Sequence, residues 1–137
     1  MLRGEQGVLK AGETIDIWQV ERALGAGGMG SVYRCHNRRA TRILAAIKVL
    51  DPSVSRLPGA ERRFVREAEI LYRLDHPNIV KVRNIRTDHD PPYLEMEFVK
   101  GPSLEARLRH SPLALHHAVG VMEQVFDAVS YLSLIHI

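Results

Sequence analysis

The chain has 137 residues, of which 45% are hydrophobic and 26% are charged, a composition typical of a folded globular protein. Its 19 Lys and Arg residues exceed its 16 Asp and Glu residues by a formal charge of +3, and the cations are spread along the chain. A nucleic-acid-binding protein usually gathers its cations into one stripe, so we expect no nucleic-acid partner. The single cysteine, Cys35, excludes an internal disulfide framework and a cysteine-rich zinc site.

Membrane and metal-binding segments are also not expected. No apolar run approaches the roughly 18 residues that a membrane helix needs, and charged residues occur throughout the N-terminal segment up to Trp18. The histidines include no His-x-x-x-His pair beside a glutamate, the pattern of one common zinc site. We therefore expect a cytoplasmic chain without a membrane segment and without a metal site of its own.

Alternating polarity predicts a series of strands after a polar lead-in. The first strand is expected over 15–24, and a glycine-rich hairpin separates it from a second strand over 31–36. A third strand over 42–50 ends at an Asp-Pro pair, and two more strands are predicted over 79–86 and 92–99. The sheet is therefore expected to have five strands.

Helical periodicity predicts three helices. The first covers 60–74, and Glu67 falls inside its apolar arc beside Leu71, where an unpaired carboxylate is unexpected. After a Lys-Gly-Pro break, a short helix is predicted over 104–109, with Ser103 at its N-cap. The last helix carries an apolar stripe that ends near Leu132.

The glycine run from Gly25 to Gly30 has several possible interpretations. Backbone N–H groups without side chains can approach phosphate oxygens closely, but the same run also suits a flexible hairpin tip. A dinucleotide-binding unit would open a helix at this loop and use an acid about 20 residues later, here Asp51, to bind the ribose. The alternation of Val32, Tyr33 and Cys35 with polar residues favours a strand after the loop, so a strand–loop–strand hairpin is the better interpretation.

Two charges stand in apolar surroundings. Lys48 interrupts an apolar strand, and an unpaired buried charge at this position or at Glu67 would cost several kcal/mol. Lys48 could face solvent, and Glu67 could pair with Arg63 or lie at the edge of the apolar stripe. The two opposite charges could also neutralise each other, and the ammonium would then be held against the phosphates of a nucleotide.

Four ordered motifs resemble the N-terminal part of a bacterial, eukaryotic-like serine/threonine protein kinase domain. They are the glycine run with its flanks over 24–33, Ala46-Ile47-Lys48, Arg66-Glu67-Ala68 and His76-Pro77-Asn78-Ile79-Val80. The resemblance implies an α+β fold: an N-lobe with a five-stranded antiparallel sheet and one αC-type helix, followed by an incomplete helical C-lobe. It divides the chain into a lead-in (1–14), the N-lobe and hinge (15–99), the start of the C-lobe (100–132) and a tail (133–137) that resembles a translated sequencing adapter.

The resemblance also implies an ATP site. Lys48 would contact the α- and β-phosphates while paired to Glu67, and these two residues are the implied catalytic residues. Met96 falls at the gatekeeper position, and Glu97 to Val99 at the hinge that meets the adenine edge. The implied nucleotide-binding residues are Leu24, Gly25, Ala26, Gly27, Gly28, Met29, Gly30, Ser31, Val32, Ala46, Lys48, Met96, Glu97 and Val99.

The motifs of the family's catalytic half are not in the sequence. It contains no His-Arg-Asp triplet, which provides the family's base aspartate, and no Asp-Phe-Gly triplet, whose aspartate binds Mg²⁺. The family's Ala-Pro-Glu triplet is missing as well. We therefore expect a truncated kinase chain that binds ATP, whose Mg²⁺ ligands lie beyond its end and which is inactive alone. Its protein substrate is unknown. A pseudokinase-like nucleotide-binding or scaffold module is the main alternative, and a dinucleotide-binding oxidoreductase is a weaker one.

Overall fold

The computed structural model describes residues 9–135, which form two compact units. The first unit contains the chain through Arg73 together with residues 81–98, and the second contains residues 74–80 and those from Val99 onward. The predicted division into lobes at residue 99 stays a prediction.

An antiparallel sheet of six strands, in the order β1-β2-β3-β4-β6-β5, forms the first unit. The strands are β1 (Thr14–Ile15), β2 (Trp18–Ala26), β3 (Gly30–Asn37), β4 (Leu44–Leu50), β5 (Val82–Arg86) and β6 (Tyr93–Glu97). The predicted fold class is confirmed, but the predicted number of five strands is wrong. The extra strand is β1, because Asp16 adopts a positive φ of 54° and turns the chain back so that Ile15 pairs with Trp18.

The first unit has two helices, α1 (Pro52–Ser55) and α2 (Ala60–Arg73), and the second has α3 (Leu104–Leu108) and α4 (Leu115–Leu134). Helix α1 lies in a segment predicted as a break. It forms because Asp51 caps it and a proline occupies its first turn. Helix α3 begins after Ser103, whose side chain accepts a hydrogen bond from the Ala106 N–H, as an N-cap does.

The two faces of β4 pack against different parts of the core, because successive strand residues point to opposite sides of the sheet. Ala45, Ile47 and Val49 are buried in one cluster on the face away from α2. The other members of that cluster are Ile15, Trp18, Val20, Tyr33, Cys35 and Tyr93. On the opposite face, Leu50 packs in a second cluster with Phe64, Ala68 and Leu94. Burial on both faces explains the apolar sequence of β4.

In the second unit, the segment 74–80 is bound to α4. The backbone N–H of Asp75 donates to the Tyr131 hydroxyl at 2.9 Å, and the ring of His76 lies 5.0 Å from that of Tyr131. The side-chain amide of Asn78 donates to Gln124 at 3.1 Å. Between residues 9 and 135, no helix combines the length and apolar character that crossing a membrane requires.

The close approach of β3 to β4 requires a glycine at position 30. A Cβ atom at this position would lie 2.0 Å from the carbonyl oxygen of Val49, so one of the two backbones would have to move. At Gly28, two residues earlier, a Cβ atom would meet nothing within 4 Å.

We expect Gly30→Ala to lower the free energy of unfolding by about 2 kcal/mol, because the added methyl group displaces the β3–β4 pairing. Gly28→Ala is the matched control and should change it by less than about 0.5 kcal/mol. Urea unfolding followed by circular dichroism measures both values. Equal stability of the two variants would contradict the close approach.

Candidate functional site

Four of the residues assigned to the site lie in a row on the α2 face of the sheet. Across neighbouring strands Val32 is paired with Lys48, and Ala46 with Met96. Directly opposed residues share a face, and so do residues two apart on one strand. Lys48 is also paired with Leu94, which belongs to the core cluster under α2. The register therefore places Val32, Ala46, Lys48 and Met96 side by side.

Helix α2 brings the carboxylate of Glu67 to this row. The Lys48 Nζ atom donates to Glu67 Oε1 at 3.3 Å, so the structure joins the two charges that stand out in the sequence. The Lys48 side chain is 22% exposed and that of Glu67 is 46% exposed. An ion pair this accessible to water contributes at most about 1 kcal/mol to stability. Its main effect is therefore to restrict where the ammonium lies.

Glu67 is exposed at the edge of the apolar stripe of α2, a position that the sequence had left open. Only Ala60, Phe64 and Ala68 are buried on α2. These residues are four apart and form a narrow contact line, so Glu67 lies at its exposed margin and not within a wide apolar arc. The alternative partner Arg63 forms no ion pair with Glu67 in the described part of the chain.

The glycine run forms a hairpin. Strand β2 continues through Gly25 and Ala26, β3 begins at Gly30, and the Gly27 N–H donates to the Gly30 carbonyl at 2.8 Å. Ala26 is paired with Ser31 across the hairpin. Because a strand and not a helix follows the loop, the dinucleotide-binding alternative is wrong.

Open space surrounds most of the hairpin glycines. A Cβ atom at Gly25, Gly27 or Gly28 would meet nothing within 4 Å, so packing within the protein does not require glycine there. Leu24, which is exposed, precedes them at an irregularity in the β2–β3 register. The backbone of the tip is thus accessible to a ligand.

Met29 and Asp51 attach the hairpin to the body of the first unit. The Met29 side chain packs against the core cluster under α2, and its carbonyl accepts a hydrogen bond from the Asp51 N–H at 3.1 Å. The Asp51 carboxylate accepts hydrogen bonds from the Ser53 hydroxyl at 2.6 Å and the Ser53 N–H at 2.8 Å. Both bonds lower the pKa of Asp51, the hydroxyl bond most. The sequence indicated Asp51 as the end of a strand and as the ribose-binding acid of the rejected dinucleotide-binding alternative, but not as a helix cap.

The end of β6 is already partly hydrogen-bonded. The Glu97 N–H donates to the Lys81 carbonyl at 2.9 Å, and the Glu97 carboxylate accepts from the Lys81 N–H at 2.8 Å. The Glu97 N–H is therefore not available to a ligand. Val99 is exposed and belongs to the second unit.

Sequence reasoning missed a charged group beside this row. The Arg34 guanidinium lies 2.7 Å from the Glu21 carboxylate and 4.9 Å from the centre of the Phe98 ring. His36 contacts the same carboxylate at 3.0 Å. Opposite charges on two adjacent strands were a possible signal, but the irregular β2–β3 register at Glu21 obscures the pairing.

A site for Mg²⁺ is not built from the described residues. Residues 9–135 contain no group of three or more His, Cys, Asp or Glu side chains that could hold a metal ion. Mg²⁺ prefers carboxylate and phosphate oxygens, so protein ligands for it do not converge in this part of the structure.

Comparison with known proteins gives consistent matches. A family model described as "Protein kinase domain" matches residues 18–137. The chain is 40% identical over 123 residues to serine/threonine-protein kinase PknJ of Mycobacterium tuberculosis and 35% identical over 115 residues to PrkC of Bacillus subtilis. These matches cover 90% and 83% of this chain, but only 21% and 18% of the two relatives.

Solved structures give the same result for the fold. A double mutant of the PknI kinase domain of Mycobacterium tuberculosis matches with a TM-score of 0.70 and 29% identity. The match covers 90% of this chain and 51% of that one. The chain thus spans about a fifth of the length of these curated relatives and about half of this solved kinase domain.

We expect Asp51→Ala to lower the free energy of unfolding by about 1 kcal/mol at neutral pH, because α1 and the turn under the hairpin lose their cap. The folded-state pKa of Asp51 is below its unfolded value. This stabilisation is therefore complete above the unfolded pKa of about 4 and is lost as the pH falls through the folded value. Urea unfolding across this range measures it, with Asp127→Ala on α4 as control. If Asp51→Ala lowers the free energy of unfolding by the same amount at every pH, the prediction is contradicted.

Proposed function

Because the chain belongs to the protein kinase domain family, we propose that its first unit binds ATP as part of a bacterial serine/threonine protein kinase. The whole protein would transfer the γ-phosphoryl group of ATP to hydroxyl groups of a protein substrate. The observation that carries the proposal is the 3.3 Å contact between Lys48 and Glu67, at the end of a row of site residues and near an open glycine hairpin.

In this proposal Lys48 binds the α- and β-phosphates and Glu67 positions it. A lysine side chain has about 2 kcal/mol of rotamer entropy to lose when it is ordered. Because the ion pair with Glu67 restricts the ammonium before the ligand arrives, less of that cost falls on binding. Glu67 is thus a positioning residue, and its carboxylate does not contact the nucleotide.

The hairpin supplies backbone donors for the phosphates. Side chains at Gly25, Gly27 and Gly28 would occupy the space around the tip, which glycine leaves empty. Backbone N–H groups that approach an anion without side chains in the way form a favourable binding concavity. The attachment of Met29 to the core and to Asp51 keeps this tip in a defined place.

The adenine would lie against the apolar part of the same face. Val32 and Ala46 would contact its two sides, and Met96 would limit the depth to which it enters. With the Glu97 N–H bonded to Lys81, that N–H would not bind the adenine edge.

Phosphoryl transfer by this chain alone is not part of the proposal. The sequence lacks the family's base aspartate, and the described residues lack a cluster of Mg²⁺ ligands. Orienting the acceptor hydroxyl and neutralising the developing charge both require those groups. We therefore assign to the chain a weak nucleotide site without transferase activity.

Lys48→Met should weaken ATP binding by at least tenfold, because the methionine keeps the length of the side chain but removes the charge that contacts the phosphates. Titration calorimetry of the 137-residue chain measures the affinity. Lys10→Met, a change at an exposed lysine outside the family match, should leave it unchanged.

Two results would contradict the proposal. Equal ATP affinity of Lys48→Met and the unaltered chain would favour a scaffold module. Stoichiometric labelling of a generic protein acceptor from γ-labelled ATP would contradict the absence of transferase activity.

A further inference from the structure

The turn between β3 and β4, residues 37–43, carries a concentrated positive charge, and we name it the basic turn. Arg38, Arg39 and Arg42 are exposed, and the sequence has no acidic residue from Asn37 to Leu50. Among the described residues none of these three arginines is in an ion pair. The carboxylate of the nearby Asp16 is already bound, by Arg86 at 2.9 Å and by the Tyr93 hydroxyl at 2.9 Å.

Two isoleucines lie beside these arginines. Ile17 is 47% exposed and Ile43 is 50% exposed, although both are large apolar side chains. The Arg38 N–H donates to the Ile17 carbonyl at 2.9 Å, and the Asn37 N–H donates to the Ile43 carbonyl at 2.9 Å. The backbone thus holds the cations and the apolar side chains at the same end of the sheet.

Hydrogen bonds within the basic turn satisfy much of its backbone. The Asn37 side-chain oxygen accepts from the Arg39 N–H at 2.9 Å and from the Ala40 N–H at 3.1 Å. The Ile43 N–H donates to the Ala40 carbonyl at 2.8 Å. Taken with the two bonds above, the N–H groups of Asn37, Arg38, Arg39, Ala40 and Ile43 all donate within the protein.

This internal bonding decides between two kinds of partner. A peptide that adds a strand needs open backbone donors and acceptors, and five N–H groups of the turn are already used. Backbone groups without a hydrogen-bond partner make entry into a membrane interface costly. In the basic turn this cost is reduced, because five of its N–H groups already donate within the protein. Exposed arginines next to exposed isoleucines match an anionic surface with an apolar interior.

We propose that the basic turn and Ile17 form a contact surface for a membrane rich in anionic phospholipid. The guanidinium groups would bind lipid phosphates, and the isoleucines would enter the interface. A recess of about 460 Å³, lined by Asp16, Ile17, Asn37, Arg38 and Arg39, lies next to the arginines and has room for a lipid headgroup. Lys48 is near the other end of β4, so this surface is separate from the proposed ATP site.

Vesicle co-sedimentation of the 137-residue chain tests the proposal. We expect binding to vesicles of phosphatidylcholine mixed with phosphatidylglycerol, and little binding to phosphatidylcholine alone. A cation near an anionic membrane contributes about a fivefold change in partitioning, so Arg39→Gln with Arg42→Gln should weaken binding about 25-fold. The matched control, Arg62→Gln with Arg66→Gln on α2, changes net charge equally and should keep nearly all of the binding.

A second pair of variants tests the apolar part. Ile17→Ser with Ile43→Ser should remove the binding that persists at high salt, where electrostatic attraction is screened. Thermal unfolding monitors the fold of each variant.

Four results would overturn the proposal. The first is an absence of binding to anionic vesicles. The second is equal binding to neutral and anionic vesicles, as expected if the exposed apolar residues of α4 were responsible. The third is an equal loss in both arginine pairs. The fourth is binding to poly-glutamate peptide in place of vesicles.

Discussion

The ion pair between Lys48 and Glu67 is the interaction on which the functional interpretation depends. Lys48 is the only charged residue of β4, a strand whose other residues pack on both sides of the sheet. Strand register pairs Lys48 with Val32, and Lys48 shares a face of β4 with Ala46, which lies two residues earlier. Helix α2 holds the Glu67 carboxylate 3.3 Å from the Lys48 ammonium. Strand β4, helix α2 and the glycine hairpin between β2 and β3 must all be in place for this single contact to have a function.

Stability and function are carried by different groups in the first unit. The two buried clusters on either side of the sheet hold the fold together, and burial of each large apolar side chain contributes about 1.5–3 kcal/mol. The exposed ion pair adds little to that sum. Lys48 and Glu67 can therefore be substituted without unfolding the chain, so the proposed nucleotide site can be tested by mutation. Gly30 is different, because it serves the fold directly.

Much of the first unit could be predicted from local sequence patterns. Alternating polarity predicted β2, β3 and β4, and the change of period at Ala60 predicted α2, because these elements are long and have one clear buried face. Strand β1 and helix α1 were missed because two to four residues carry no readable period. Their positions depend on a positive φ at Asp16 and on the cap at Asp51.

The site was predictable as a set of residues, but its details were not. Helical geometry gives the direction of Glu67 without the width of the contact between α2 and the sheet, so it could not decide whether Glu67 lies inside the apolar arc or at its edge. The contacts Glu97–Lys81 and Arg34–Glu21 depend on cross-strand register, which single-sequence patterns do not give.

A double-mutant cycle on ATP affinity tests the central claim most directly, using Lys48→Met, Glu67→Gln and the two together. If Glu67 acts only by positioning Lys48, Glu67→Gln alone should weaken binding by up to about fivefold and should add less than about twofold once Lys48 is replaced. Glu69→Gln, at an exposed position one half-turn away on α2, should have no effect. Losses that multiply in the double variant, or an equal loss in Glu69→Gln, would contradict the account.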